Sequence, residues 1–234
     1  MNLLFVKGIK LNRDRIDNFE IYPFNIPVIK NLDEIKLNKN VTFFVGENGT
    51  GKSTIIEALA VCMKLSPEGG SGNLTFESFN STSDLNNYLT IYKGGRIPRQ
   101  KFFLRAESFY TMANTYEYIS DIPSMHTHSH GEEFLNIFER FNPDGLYLLD
   151  EPESALSPNN QIKLLCIIDQ LAKNGAQFII VTHSPILLSY RDGEILNLDD
   201  NFNVIDYQDT NIYQTYKLFL NKPERMQHIL FDEE

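Results

Sequence analysis

The chain contains no tryptophan and only two cysteines, Cys62 and Cys166. Neither stands in a Cys-x-x-Cys spacing and both fall within apolar helical patterns, which argues against a disulfide framework or a thiolate metal site. No apolar run approaches the roughly 18 residues that a spanning helix needs. The first residues lack the basic, apolar and small-residue succession of a secretory leader, so the expected setting is the cytoplasm, without membrane insertion. Basic charge is also in deficit: 21 Lys and Arg stand against 31 Asp and Glu, a formal net charge of −10. Coating of nucleic acid by bulk attraction is thereby disfavoured. The deficit lies C-terminal to residue 105, because the residues before it are on balance basic. What is present, across 234 residues of which 42% are hydrophobic, is an ordinary globular composition with enough chain to bury a core without cross-links.

Strand and helix patterns alternate along this chain. Leu3-Leu4-Phe5-Val6, Val41–Val45, Phe102–Ala106, Leu146–Leu149, Phe178–Val181, Ile195–Leu198 and Asn203–Ile205 read as strands, being short, apolar and rich in β-branched or aromatic residues. Helical spacing appears over Lys52–Lys64, Glu107–Ile119, about Glu132–Phe141, Gln161–Leu171, Tyr213–Leu220 and Glu224–Phe231. The alternation predicts one α/β domain over residues 1–234, a largely parallel sheet flanked by helices, and an N-terminal antiparallel β part is expected beside it. Glycines and a proline between Ser66 and Tyr92 suggest an inserted arm, bounded at 66–100, and 207–234 forms a helical C-terminal segment.

Gly46-Glu47-Asn48-Gly49-Thr50-Gly51-Lys52-Ser53 fits G-x-x-x-x-G-K-[ST] and lies between a predicted strand and a predicted helix. In that context the glycines let successive backbone N–H groups and the positive end of the helix converge on phosphate oxygens. Lys52 is expected to reach the β and γ phosphates of ATP, Ser53 to ligate Mg²⁺, and Thr54 to lie against the nucleotide. The strand Leu146–Leu149 then delivers Asp150 and Glu151 at its C-terminal end, where ligands of open α/β sheets collect. Asp150 is expected to hold Mg²⁺ and Glu151 to act as general base on the attacking water. His183, after the strand Phe178–Val181, is a candidate to hydrogen-bond the γ-phosphate.

Other features admit plainer readings. His126, His128 and His130 alternate, yet no carboxylate or cysteine completes a zinc site at the usual spacing. Lys93, Arg96, Arg99, Lys101 and Arg105 form a basic run, for which a solvated or partner-facing surface is favoured over a nucleic-acid patch. Tyr22 could stack on adenine, though a core aromatic beside Pro23 and Phe24 is the favoured reading.

Together, Tyr22–Pro27, Val41–Ser53, Phe103–Ser108, Ser129–Glu132, Asp150–Ser157, Thr182–Pro185 and Pro223–Arg225 resemble the ABC-type ATPases. The resemblance is nearer to the SMC, RecF and overcoming-lysogenization-defect branch than to transporters, and within it to small stand-alone bacterial ATPases. It implies an ATP-dependent sandwich homodimer in which Ser129 and Gly131 of one subunit close over the nucleotide of the other. His130 and Glu132 depart from the family's signature. Ser154–Ser157 would match the loop that crosses the dimer interface, and Glu107 would stand in the place of a glutamine that approaches the metal. The resemblance implies an Mg²⁺-dependent ATPase that drives or signals to a protein effector, with DNA metabolism or phage defence as the analogy. A transporter's nucleotide-binding subunit and an ATP-gated binding module with little turnover are the alternatives.

Overall fold

The computed structural model describes residues 4–71, 83–105 and 130–231. Among these residues two sheets are formed. The larger has seven strands in the order β10-β9-β3-β8-β7-β6-β4: β3 Val41–Val45, β4 Gly70–Ser71, β6 Gln100–Arg105, β7 Gly145–Asp150, β8 Gln177–Val181, β9 Glu194–Asn197 and β10 Asn203–Ile205. Its central pairs are parallel, and only the edge pairs β4–β6 and β9–β10 are antiparallel. The smaller sheet is an antiparallel triplet of β2 Glu34–Lys36, β1 Val6–Leu11 and β5 Leu89–Lys93.

The central strands are apolar at nearly every position because both faces of the sheet are covered. Side chains alternate by a period of two: Leu146 and Leu148 enter one core, Tyr147 and Leu149 the other. The first core lies against α1 (Pro27–Asn31), α2 (Lys52–Cys62) and the antiparallel triplet; the second lies against α3 (His130–Phe138), α4 (Pro158–Lys173) and α5 (Pro185–Leu188). In α4 the buried positions Leu164, Ile168, Leu171 and Ala172 form a single helical stripe. Beyond the sheet, α6 (Asn211–Asn221) and α7 (Pro223–Phe231) bury no side chain among their described residues.

Two of the boundaries that differ from the sequence expectation have a visible cause. The first strand starts at Val6 rather than Leu3, because the apolar run at Leu4 and Phe5 is buried outside any ladder. The Phe5 N–H donates instead to the side chain of Gln177 at 2.9 Å. Helix α4 starts at Pro158, three residues before the apolar periodicity. Ser157 caps it by accepting from the Asn160 N–H, and a proline at the first helical position needs no donor.

The described part of the 66–100 arm is woven into both sheets, through β4 at the edge of one and β5 beside β1 in the other, and its Leu85 lies fully in the first core. Four of the five residues of the basic run that begins in it meet partners within the chain. Arg96 pairs with Asp144 and lies over the Phe5 ring, Arg99 meets Asp144 at 3.2 Å, Lys101 donates to the Met63 carbonyl at 2.6 Å, and Arg105 meets Glu57 at 3.2 Å. Arg96 and Arg105 are thereby turned partly inward, whereas Lys93 is exposed and Arg99 is 79% exposed, so part of the run remains a solvated surface. The expected helix Glu107–Ile119 and the histidines at 126 and 128 lie outside the described residues.

Candidate functional site

Parallel strands place their C-terminal ends on one edge, and three of those ends carry the predicted motifs. Asp150 stands in register with Val181, and Val181 in turn with Phe44, so the ends of β7, β8 and β3 are adjacent. Gly46, Glu151 and His183 therefore leave the sheet side by side.

The loop from Gly46 to Gly51 turns tightly into α2. Gly49 and Gly51 adopt φ of 79° and 102°, where a side chain is strained, and a Cβ at Gly51 would come within 2.9 Å of Ile26. Thr50 braces the loop by donating to the Glu47 carbonyl at 2.9 Å. Lys52 is 5% exposed and folds back on the loop, donating to the carbonyls of Gly46 and Glu47, both at 2.8 Å. Burial lowers its pKa, while the carboxylates of Glu151, Asp199, Asp150 and Glu47 oppose that shift.

The two oxygens expected to bind metal are already in contact. Ser53 Oγ donates to Asp150 Oδ1 at 3.1 Å, and Asp150 is 5% exposed. Next to it, Glu151 has a left-handed backbone, φ 50° and ψ 52°, fixed by its N–H donating to the Val181 carbonyl at 2.9 Å. Its carboxylate lies 3.8 Å from His183 Nε2. That nitrogen is buried and has no hydrogen-bond partner. Burial, and secondarily the Lys52 cation, lowers the imidazole pKa, so the ring is neutral at physiological pH.

These groups share an open cleft of about 780 Å³ lined by Asn48, Gly49, Gly51, Lys52, Ser53, Thr54, Glu151 and His183, with Tyr22 and Ile26 on its wall. Tyr22 is 61% exposed and is no core aromatic; Phe24 takes the core position instead, edge-on to Tyr88. The favoured sequence reading of Tyr22 is therefore corrected. Gly46 and Glu47 line a neighbouring cavity of about 320 Å³ on the β9 side, and Thr50 lines neither. Gly131 lies in the first turn of α3, whereas Glu107 and Ser129 fall outside the described residues. Among the described residues no cluster of three or more His, Cys, Asp or Glu could hold a metal.

Two contributors escaped the sequence reading. Asp199 accepts from the Glu47 N–H at 2.7 Å and so anchors the base of the loop; nothing in the sequence ties two positions this far apart. Glu153 sits inside the quoted Asp150–Ser157 stretch, yet its carboxylate turns away from the cleft to accept from Thr182 Oγ1 and the His183 N–H. The signal for it was a third carboxylate after Asp150 and Glu151, beyond the pair that metal and water require.

A family model described as an AAA domain matches residues 15–134. The chain belongs to the AAA-domain family. A second AAA-domain model, whose description mentions the AbiEii toxin and a type IV TA system, matches residues 133–189. The first match takes in β3, the glycine loop and α2, and the second takes in β7, β8 and the turns after them, so the AAA-domain matches span the whole cleft. Among curated relatives, the arginine transport ATP-binding protein ArtM of Bacillus subtilis (strain 168) is 24% identical over 209 residues, covering 76% of this chain and 84% of the relative. Similar solved structures include the SMC head domain from Thermotoga maritima, 17% identical with a TM-score of 0.45, covering 82% of this chain and 95% of that one. Another is cbiO1 from Clostridium perfringens, part of the ABC transporter complex cbiONQ, 16% identical with a TM-score of 0.43, covering 85% and 90%. No helix among the described residues of this AAA-domain protein is long and apolar enough to cross a membrane.

Proposed function

We propose that this chain binds ATP with Mg²⁺, hydrolyses it, and closes as an ATP-dependent homodimer that signals to a protein effector in the cytoplasm. The observation that carries the reading is the Ser53–Asp150 contact at 3.1 Å, a hydroxyl from the loop meeting a nearly buried carboxylate from the neighbouring motif. Two hard oxygen donors, one anionic, suit Mg²⁺. Ser53 and Asp150 would hold the ion, which when bound neutralises charge on the phosphate oxygens.

The remaining chemistry falls to the chain's own side chains. Lys52 Nζ, held by two backbone carbonyls in the free chain, exchanges them for the stronger acceptors of the β and γ phosphates. Glu151 accepts the proton of the attacking water. His183, neutral because burial lowers its pKa, carries its Nε2 toward the same space and donates to the γ-phosphate without adding a charge that would compete with Lys52. Exposed Tyr22 on the cleft wall offers a stacking face for the base.

Phosphate release with Mg²⁺ and ATP tests this reading. Wild-type chain should turn over, and Glu151→Gln should retain ATP while losing about 10²–10⁴-fold in rate. Failure of the wild type to bind ATP, or full activity of Glu151→Gln, would overturn it. A second reading, the nucleotide-binding subunit of a transporter, draws on the likeness to ArtM. Co-purification with an integral membrane protein would favour it over a stand-alone effector system.

A further inference from the structure

The turn that follows Glu151, Pro152–Ala155, is tied to the end of β8 by a closed ring of hydrogen bonds. Glu153 Oε2 accepts from Thr182 Oγ1 at 2.7 Å, and Glu153 Oε1 accepts from the His183 N–H. Thr182 Oγ1 in turn accepts from the Ser184 N–H at 3.0 Å. Ser184 Oγ donates to Gln161 Oε1 at 2.6 Å, and Gln161 Nε2 donates to the Leu156 carbonyl at 3.0 Å. The chain of bonds thus leaves the turn at Glu153 and returns to it at Leu156. Thr182 and Ser184 are buried, so neither can rotate without stranding a polar group away from water.

The ring holds the backbone of His183 and leaves its imidazole free. The His183 N–H is fixed by Glu153, whereas His183 Nε2 has no partner and stands 3.8 Å from Glu151. Burial raises the Glu153 carboxyl above the ordinary range, and the Thr182 hydroxyl, then the His183 N–H and its own backbone N–H, offset this shift. An acid placed at that cost holds the backbone of His183 without itself lining the cleft.

We propose that Glu153 is the positioning residue that sets His183 against the reacting phosphate. The ring through Thr182, Ser184 and Gln161 carries any displacement of residues 152–157 to that imidazole. The inference rests on the reading of His183 and Glu151 given above. It concerns how the site is held, so its test has an arm that does not involve turnover.

On the full-length chain, Glu153→Gln should lower kcat about tenfold or more with the ATP dissociation constant unchanged within about twofold, since a misplaced group costs rate rather than binding. In a His183→Ala background the same change should cost less than about twofold, because both substitutions remove one function. Additive losses, or a raised KM at intact kcat, would overturn the proposal. Amide hydrogen exchange supplies the independent arm: the His183 amide should exchange faster in Glu153→Gln while the amides of Ile179 and Ile180 stay protected. Unchanged exchange at His183 would refute the clamp whatever the kinetics show. If Glu153→Gln does not fold, Thr182→Val should give the same kcat loss, and Thr182→Ser should restore the rate by restoring the hydroxyl; failure of that rescue counts against the ring. Should Glu151→Gln and His183→Ala both keep full turnover, the catalytic reading falls, while the exchange result still decides whether Glu153 positions His183.

Discussion

Gln177 offers the sharpest test of how the two sheets are joined. At the start of β8 its side chain is 1% exposed and makes three hydrogen bonds to the chain entering β1. Oε1 accepts from the Phe5 and Val6 N–H groups, both at 2.9 Å, and Nε2 donates to the Val6 carbonyl at 2.7 Å. Gln177→Leu keeps most of the volume but leaves two buried donors and one buried acceptor with one partner fewer. An unsatisfied buried group costs about 1–3 kcal/mol; with the lower half of that range for each of the three, because Val6 also belongs to a ladder, the loss comes to roughly 3–6 kcal/mol. That is a large share of a typical domain stability of about 5–15 kcal/mol. Urea unfolding should show the midpoint falling with the slope m unchanged, and the exposed Gln170→Leu should shift stability by less than about 0.5 kcal/mol. A Gln177→Leu loss below about 1 kcal/mol would refute the view that this amide joins the sheets.

Further expectations concern the cleft. Lys52→Ala should abolish ATP binding in a direct affinity measurement, because it removes the cation facing the β and γ phosphates; an unchanged dissociation constant would show the cradle misplaced. Glu151→Gln should accumulate as an ATP-bound dimer in light scattering and Ser129→Arg in the same chain should prevent it; a double variant that still dimerises would sink the sandwich. His183 should titrate below the ordinary 6.5 in an NMR experiment, since burial and then Lys52 lower it, and Lys52→Met should move its midpoint up. The sign for stability follows: with the folded pKa below the unfolded one, the unfolded chain takes the proton first. This residue's contribution is therefore intact above pH 6.5 and is lost as pH falls toward the folded value. An imidazole titrating at or above 6.5 would contradict the buried geometry.

The central strands were legible because burial on both faces leaves an uninterrupted apolar run, as in Leu146–Leu149 and Phe178–Val181. The glycine loop and Asp150–Glu151 were legible because their chemistry is local, one short segment each. What the sequence hid was long-range. Phe5 looks like a strand residue, but its N–H is taken by Gln177, and the pairing of Arg96 and Arg99 depends on Asp144 arriving from another part of the chain. Tyr22 was misread for a similar reason: two aromatics flank one proline, and only the fold assigns the core place to Phe24 and leaves Tyr22 exposed.

The left-handed backbone at Glu151 sets stability against chemistry at a single position. A residue with a Cβ held at φ 50° costs about 1–2 kcal/mol relative to ordinary helical or extended backbone, a cost that glycine does not incur. Glu151→Gly should therefore yield a chain that melts at least as high as the wild type and releases no phosphate. A campaign that ranked variants by thermal midpoint alone would retain it, discarding the carboxylate on which turnover is proposed to depend.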